Sequence, residues 1–251
     1  MKRKKNMMKS TNIRIHENRE KLGFAAAEKF IELANNYIRQ NNRFTVALSG
    51  GSTPQILFEI LSEHFRESVD WGKILFFWSD ERFVPPEHID SNAGMARQYL
   101  ITPLKINSKN VHIVPTESNK PQQAAELYEK TIRDTFACPA DMPKFDLILL
   151  GLGDDGHTAS LFPGTGALRE QQKLVTANWV PKFNTWRVTF TFSLLNSAKN
   201  IIFIISGENK ATVIEEIMNR SKDYPAAKIR PVKGELLWML DRKAGKLLAQ
   251  E

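Results

Sequence analysis

Short, nearly continuous apolar runs alternate along the chain with longer stretches whose apolar residues recur every three or four positions. That is the pattern of buried strands separated by amphipathic helices. The runs at 44–48 (FTVAL), 73–78 (KILFFW), 111–114 (VHIV), 147–150 (LILL), 200–205 (NIIFII) and 234–240 (GELLWML) predict strands. Two more are expected at 174–179 and 186–192, the second alternating Trp186, Val188, Phe190 and Phe192. Helical periodicity marks 17–40, through Leu22, Ala25, Ala26, Phe30, Leu33, Ala34, Tyr37 and Ile38, with Asn41-Asn42 closing it. Further helices are expected at 54–65, where Pro54 falls in the first turn and its missing N–H costs nothing, and at 121–136. Ser91-Asn92 caps a helix running to residue 100; another opens at 206–210 and runs to 219, and 241–250 closes the chain as a helix. This order predicts α/β architecture: a mostly parallel, doubly wound (Rossmann-like) sheet with helices on both faces. No internal repeat or long linker divides 13–251, which is expected to form one domain.

Composition narrows the partners. Of the net charge of +7, five units come from Lys2, Arg3, Lys4, Lys5 and Lys9, leaving +2 for the rest. The basicity is thus mostly a tail, residues 1–12, expected to be disordered. The body lacks the basic face with base-contacting or stacking residues that nucleic acid requires, whereas a small positive excess suits an anionic small molecule. No apolar run is long enough to span a bilayer, and MKRKKNMMKS has no apolar core of a secretory signal. One cysteine, Cys138, excludes an intramolecular disulfide and favours a reducing, cytoplasmic setting.

Candidate chemistry clusters just beyond the carboxyl ends of the expected strands, where open α/β sheets bind ligands. The most informative stretch is 145–163, FDLILLGLGDDGHTASLFP, in which Asp154, Asp155 and His157 sit among Gly151, Gly153 and Gly156. These glycines fit the dinucleotide fingerprint, but Asp154 and Asp155 would set negative charge against a phosphate, and Pro163-Gly164 leave no room for the long helix the fingerprint needs. A loop presenting His157 beside Asp155 is expected instead. A second cluster, Ser49-Gly50-Gly51-Ser52-Thr53-Pro54, joins a strand to a helix. Bare backbone N–H groups, hydroxyls and the helix dipole make it a phosphate cradle, or else a tight turn capped by Ser or Thr. A third is Ser79-Asp80-Glu81-Arg82. The fourth holds Lys210 in a first helical turn, where a cation is disfavoured unless it shares an anion; a solvated lysine is the alternative.

Taken together the clusters resemble the 6-phosphogluconolactonases, a family in one superfamily with the glucosamine-6-phosphate isomerases and deaminases. The matching stretches are 48–54 (LSGGSTP), 78–92 (WSDERFVPPEHIDSN), 146–164 (DLILLGLGDDGHTASLFPG), 187–200 (RVTFTFSLLNSAKN), 206–211 (SGENKA) and 230–241 (RPVKGELLWMLD). The isomerase branch carries a glutamate five residues after the loop histidine, where this chain has Phe162, and reads Asp-Glu-Tyr in place of Asp80-Glu81-Arg82. Both differences fall on the lactonase side.

The resemblance implies hydrolysis of 6-phospho-D-glucono-1,5-lactone, the second step of the oxidative pentose phosphate pathway, with no metal or organic cofactor, by a monomer or homodimer. His157 is the expected general base, being a histidine at a candidate site with an ordinary pKa of about 6.5. Asp155 orients it in the manner of a triad carboxylate, and Arg82 faces the developing oxyanion. Asp80 is assigned to the sugar hydroxyls or to positioning Arg82. Gly50, Gly51, Ser52, Thr53, Arg187 and Lys210 are the expected phosphate ligands. The five histidines show no ligand spacing for zinc, and G-x-S-x-G, the turn that exposes a serine nucleophile, is absent. The other readings are an isomerase or deaminase acting on glucosamine 6-phosphate and a non-catalytic sugar-phosphate sensor; residues 1–12 are too short for the helix-turn-helix that such sensors carry.

Overall fold

Five of the apolar runs lie side by side as parallel strands, because a strand covered on both faces by helices has no polar face to show, and a sixth, half-exposed strand joins them at one edge. The computed structural model describes residues 12–219 and 221–248. Its main sheet has the order β1-β9-β8-β5-β2-β3, with β1 Asn12–His16, β2 Phe44–Leu48, β3 Ile74–Trp78, β5 Leu147–Leu150, β8 Asn200–Ile205 and β9 Glu235–Asp241. All neighbouring pairs are parallel. Alternate side chains of each strand enter different cores. Val46, Phe76, Leu149, Ile202 and Met239 face one layer, while Ala47, Phe77, Ile148, Phe203 and Trp238 face the other. Each such Val, Leu, Ile, Phe or Met side chain taken from water contributes roughly 1.5–3 kcal/mol.

The first layer contains α1 (Arg19–Asn41), α2 (Ser52–His64) and α3 (Asn92–Ala96). Asn18 caps α1 by accepting from the Lys21 N–H, and Asn42 ends it in the left-handed conformation. The opposite layer contains α4 (Pro121–Thr135), α5 (Phe192–Leu195) and α6 (Ala211–Met218). It also holds a second, antiparallel sheet of order β4-β7-β6, built from β4 (Asp80–Arg82), β6 (Val175–Val180) and β7 (Thr185–Phe190). Backbone bonds tie this sheet to the carboxyl edge of the main one: Ser79 N–H donates to Leu48 C=O and Phe190 N–H to Ser79 C=O, each at 2.8 Å.

The structure corrects several expectations. Residues 111–114 do not form a strand; only Val111 bridges to Phe76. Residues 242–248 are turns rather than a helix, gathered by the Asp241 carboxylate, which accepts from the Ala244 and Gly207 N–H groups; residues 249 and 250 of that expected helix lie outside the described residues. The helix from Ser91 passes at Arg97–Ile101 into a wider π turn. The basic segment 1–11 also lies outside the described residues, and Asn12 opens β1, paired with Leu237.

Strand order reverses between β2 and β5: from β2 the chain adds β3 on one side, then returns to place β5 on the other. A crevice opens at such a switch point beyond the strand ends. The loop after β2 is 49–51 and the loop after β5 begins at Gly151, so two of the four clusters flank it.

Candidate active site

The crevice is a cleft of about 870 Å³. Its floor at the end of β2 is the turn into α2. Gly51 is the N-cap, with φ 105° and ψ 170°, a conformation that L side chains rarely adopt. Among the described residues no side chain caps this helix. Ser52 and Thr53 line the cleft, and the N–H groups of this first turn lack helical acceptors and carry the positive end of the helix dipole. The turn is held from outside. The Arg19 guanidinium donates to the Ser52 carbonyl. On the other flank a Cβ on Gly50 would lie 1.8 Å from Asn92 Oδ1, so only glycine lets the chain pass Asn92 there. Asn92 is fixed in turn by donating from Nδ2 to the Asp80 carbonyl at 2.9 Å. The buried Ser49 hydroxyl, also on the cleft wall, has no partner among the described residues.

Cations ring the cleft. Arg82 on β4 and Arg187 on β7 are cross-strand partners. Arg82 Nη1 donates to the Asp90 carbonyl at 2.6 Å. Arg187 packs over the Phe183 ring, 5.8 Å from its centroid, and its Nε is buried without an acceptor among the described residues. Burial, then the neighbouring Arg82 charge, lowers the Arg187 pKa. Lys210, at the end of the short 3₁₀ turn Glu208–Lys210 after β8, is half-buried; no ion-pair or hydrogen-bond partner holds its ammonium among the described residues, and burial lowers its pKa. Like charges set opposite each other on strands destabilise a sheet, so this arrangement favours a bound anion.

The loop after β5 closes on itself instead of opening a helix: Gly153 N–H donates to His157 C=O at 2.8 Å and Gly156 N–H to Gly153 C=O at 3.1 Å. That turn sets His157 Nδ1 2.5 Å from Asp155 Oδ1. It needs glycine at 153, because a Cβ there would lie 1.9 Å from His157 Nδ1. Burial by itself would raise the Asp155 carboxyl. The hydrogen bonds from His157 and from Lys182, whose Nζ lies 2.9 Å from Oδ2, outweigh it and bring the carboxyl down to about 2. An ionised Asp155 makes Nδ1 the protonated nitrogen and leaves Nε2 as an acceptor. Burial lowers the His157 pKa, with the Asp155 hydrogen bond and charge pulling it back up. Phe162 stacks on the imidazole at 3.9 Å between centroids, and Phe183 meets Phe162 edge-on at 5.7 Å. Across the cleft, Asp80 Oδ2 accepts from Ser160 Oγ at 2.6 Å.

His157, Arg82, Gly50, Gly51, Ser52, Thr53, Asp80, Arg187 and Lys210 all line this one cleft, and Asp155 stands immediately behind His157. Glu81 does not: it is 2% exposed and points into the protein. There it accepts from the N–H groups of Arg82, Asn92 and Ala93 and from Ser91 Oγ. Burial pushes its carboxyl up to about 7 against those backbone donors. Sequence reading missed Asn92, Ser160 and Lys182 as parts of the site, since each acts through a partner distant in sequence. Asn92 carried the one available signal, standing beside a helix cap in a stretch that matched the family. Among the described residues no group of three or more His, Cys, Asp or Glu is placed to hold a metal ion, and no helix is long and apolar enough to cross a membrane.

Known proteins resemble the chain in both sequence and fold. A 6-phosphogluconolactonase of Nostoc sp. is 43% identical over 212 residues, covering 83% of this chain and 86% of that protein. A 6-phosphogluconolactonase of Synechocystis sp. is 44% identical over 215 residues, covering 84% and 87%. The structure of 6-phosphogluconolactonase from Trypanosoma cruzi superimposes with a TM-score of 0.88 at 30% identity, over 98% of this chain and 100% of that one. The family model described as glucosamine-6-phosphate isomerases/6-phosphogluconolactonase matches residues 17–238, and the chain belongs to that family.

Proposed function

We propose that the protein hydrolyses 6-phospho-D-glucono-1,5-lactone to 6-phospho-D-gluconate, with His157 as general base. One observation carries the reading: a histidine held by an ionised carboxylate faces the same cleft as an uncapped helix N-terminus, two opposed arginines and an unpaired lysine. The names of the relatives support the substrate. The isomerase reading lacks support at residue 162, where a phenylalanine stacked on His157 stands in place of the glutamate of that branch.

The chemistry follows from the side chains. The phosphate is gripped by the N–H groups at the start of α2, the hydroxyls of Ser52 and Thr53, Arg187 and Lys210. Nε2 of His157 takes a proton from water as the water oxygen bonds to the lactone carbonyl carbon. The new imidazolium is stabilised by Asp155. The carbonyl oxygen becomes an oxyanion, for which Arg82 is the preorganised cation. Collapse reforms the carbonyl and breaks the bond to the ring oxygen, which accepts the proton from His157, so the base is restored and a carboxylic acid is released. Asp80, fixed by Ser160, serves the sugar hydroxyls.

The test is acid release, followed by pH-stat, from freshly made phosphorylated lactone, with gluconolactone and glucosamine 6-phosphate in parallel. Acceleration of the phosphorylated lactone alone is expected. Ammonia release from the amino sugar with unchanged lactone decay would overturn the proposal, and equal kcat/KM on the two lactones would remove the phosphate site from it.

A further inference from the structure

The Asp155 carboxylate serves two partners, one oxygen each: Oδ1 meets His157 Nδ1 at 2.5 Å and Oδ2 meets Lys182 Nζ at 2.9 Å. Lys182 also reaches Asp154 Oδ1 at 3.1 Å. It belongs to the short turn Pro181–Phe183, closed by Asn184 in the left-handed conformation, at the tip of the β6–β7 hairpin. That tip touches the imidazole by a second route, because Phe183 packs on Phe162 and Phe162 stacks on His157. We propose that Lys182 is a positioning residue for the His157–Asp155 pair, fixing the plane of the carboxylate and balancing the two adjacent aspartates so that the imidazole stays a free base in working conditions. This rests on the general-base reading of His157 given above.

The electrostatics around His157 make the direction definite. Its own loop supplies Asp155 and Asp154, β4 supplies Asp80, the hairpin supplies Lys182, and Lys210 approaches the two aspartates from the turn after β8. Tyr224 packs on Gly156, but its hydroxyl is engaged with Glu216. The three carboxylates favour the imidazolium, and Lys182 opposes it. Lys182 itself stays charged, because Asp155 and Asp154 raise its pKa. Removing the ammonium therefore leaves the aspartates with only the more distant Lys210 to balance them, and His157 takes up its proton at higher pH.

The experiment compares wild type with Lys182→Ala and Lys182→Arg by two readouts. One is the His157 imidazole titration by NMR, its resonance identified by loss in His157→Ala. The other is the pH profile of kcat on the phosphorylated lactone. Lys182→Ala is expected to move both the titration and the acid limb of kcat to higher pH. At neutrality kcat should fall by up to about fivefold, the ceiling for a partly exposed ion pair, with KM little changed. Lys182→Arg should restore both. An unchanged His157 titration in Lys182→Ala would overturn the inference, as would a raised KM with the pH profile intact, which would make Lys182 a substrate ligand. A shifted titration in a protein that does not open the lactone would sink the proposed reaction and leave the Lys182 coupling standing.

Discussion

Arg82 and Arg187 face each other across the β4–β7 ladder, two guanidiniums in register on the wall of one cleft. Cross-strand pairs contribute roughly 0.2–1 kcal/mol, and like charges directly opposite make that contribution unfavourable. The buried Arg187 Nε adds a donor that no described residue answers. Arg187→Met keeps the apolar stem against Phe183 and deletes the charge. The variant should melt at or slightly above the wild-type temperature without ligand, while its KM for the phosphorylated lactone rises about tenfold or more with kcat largely kept, since a phosphate contact holds ground and transition states alike. Thermal unfolding beside steady-state kinetics reads both. A clear loss of stability with unchanged KM would make Arg187 a structural residue.

The backbone of Gly153 passes against the imidazole, leaving no room for a side chain. An added methyl would overlap His157 Nδ1 at 1.9 Å and the Asp155 carboxylate at 2.7 Å. Gly153→Ala should push the ring off Asp155 and lower kcat by about tenfold to a hundredfold, part of the hundredfold or more that a positioned base supplies. The turn proposed to bind the phosphate lies on another loop, so KM should change little. A kcat equal to wild type would show that the imidazole has room the geometry denies it.

Glu81 ties the site together from inside the protein. Its two oxygens accept from three backbone N–H groups and the Ser91 hydroxyl, joining β4 to the start of α3, and through Asn92 to Gly50. Glu81→Gln turns an amide N–H₂ toward donors and should cost about 1–3 kcal/mol. Burial sets the folded carboxyl at about 7, above its ordinary value of 4.5. Protons then bind the folded state more tightly, so wild type gains on the variant as pH falls from about 7 toward about 4.5. Urea unfolding at both ends of that window tests this; identical stabilities throughout would remove Glu81 from the scaffold.

Much of this molecule could be read from hydrophobic pattern. Runs such as NIIFII are apolar on both strand faces because both are covered, and five of the main strands were legible for that reason. The second sheet was not legible as such. Asp80-Glu81-Arg82 pairs with β7 through its backbone while carrying three charged side chains, and no apolar period marks it. β1 escaped for the opposite reason: it is short and half-exposed at the sheet edge, with Ile13 against the core and Ile15 largely in solvent. The expected closing helix does not form, because the Asp241 carboxylate instead gathers a set of turns. At the site, glycine turns and strand-end polar clusters identified the residues facing the cleft. The contacts that hold those residues, Asn92 on Gly50, Ser160 on Asp80 and Lys182 on Asp155, depend on pairings 27 to 80 positions apart, which one sequence does not show.

In the proposed reaction neutral His157, held by ionised Asp155, takes the proton from water. Asp155 at about 2 stays charged across the range in which His157 titrates, so His157 governs the acid limb of this pair. Burial places that limb below the ordinary histidine value of 6.5. The most direct measurement is kcat against pH for wild type and His157→Ala on 6-phosphogluconolactone, each corrected for spontaneous opening. Wild type should hold its rate into mildly acidic solution and then fall as the imidazole protonates. His157→Ala should lose about a hundredfold or more in kcat, retain binding through the phosphate contacts, and show no such acid limb. A His157→Ala variant with near-wild-type kcat, or one that keeps the same acid limb, would contradict the assignment and place the base elsewhere.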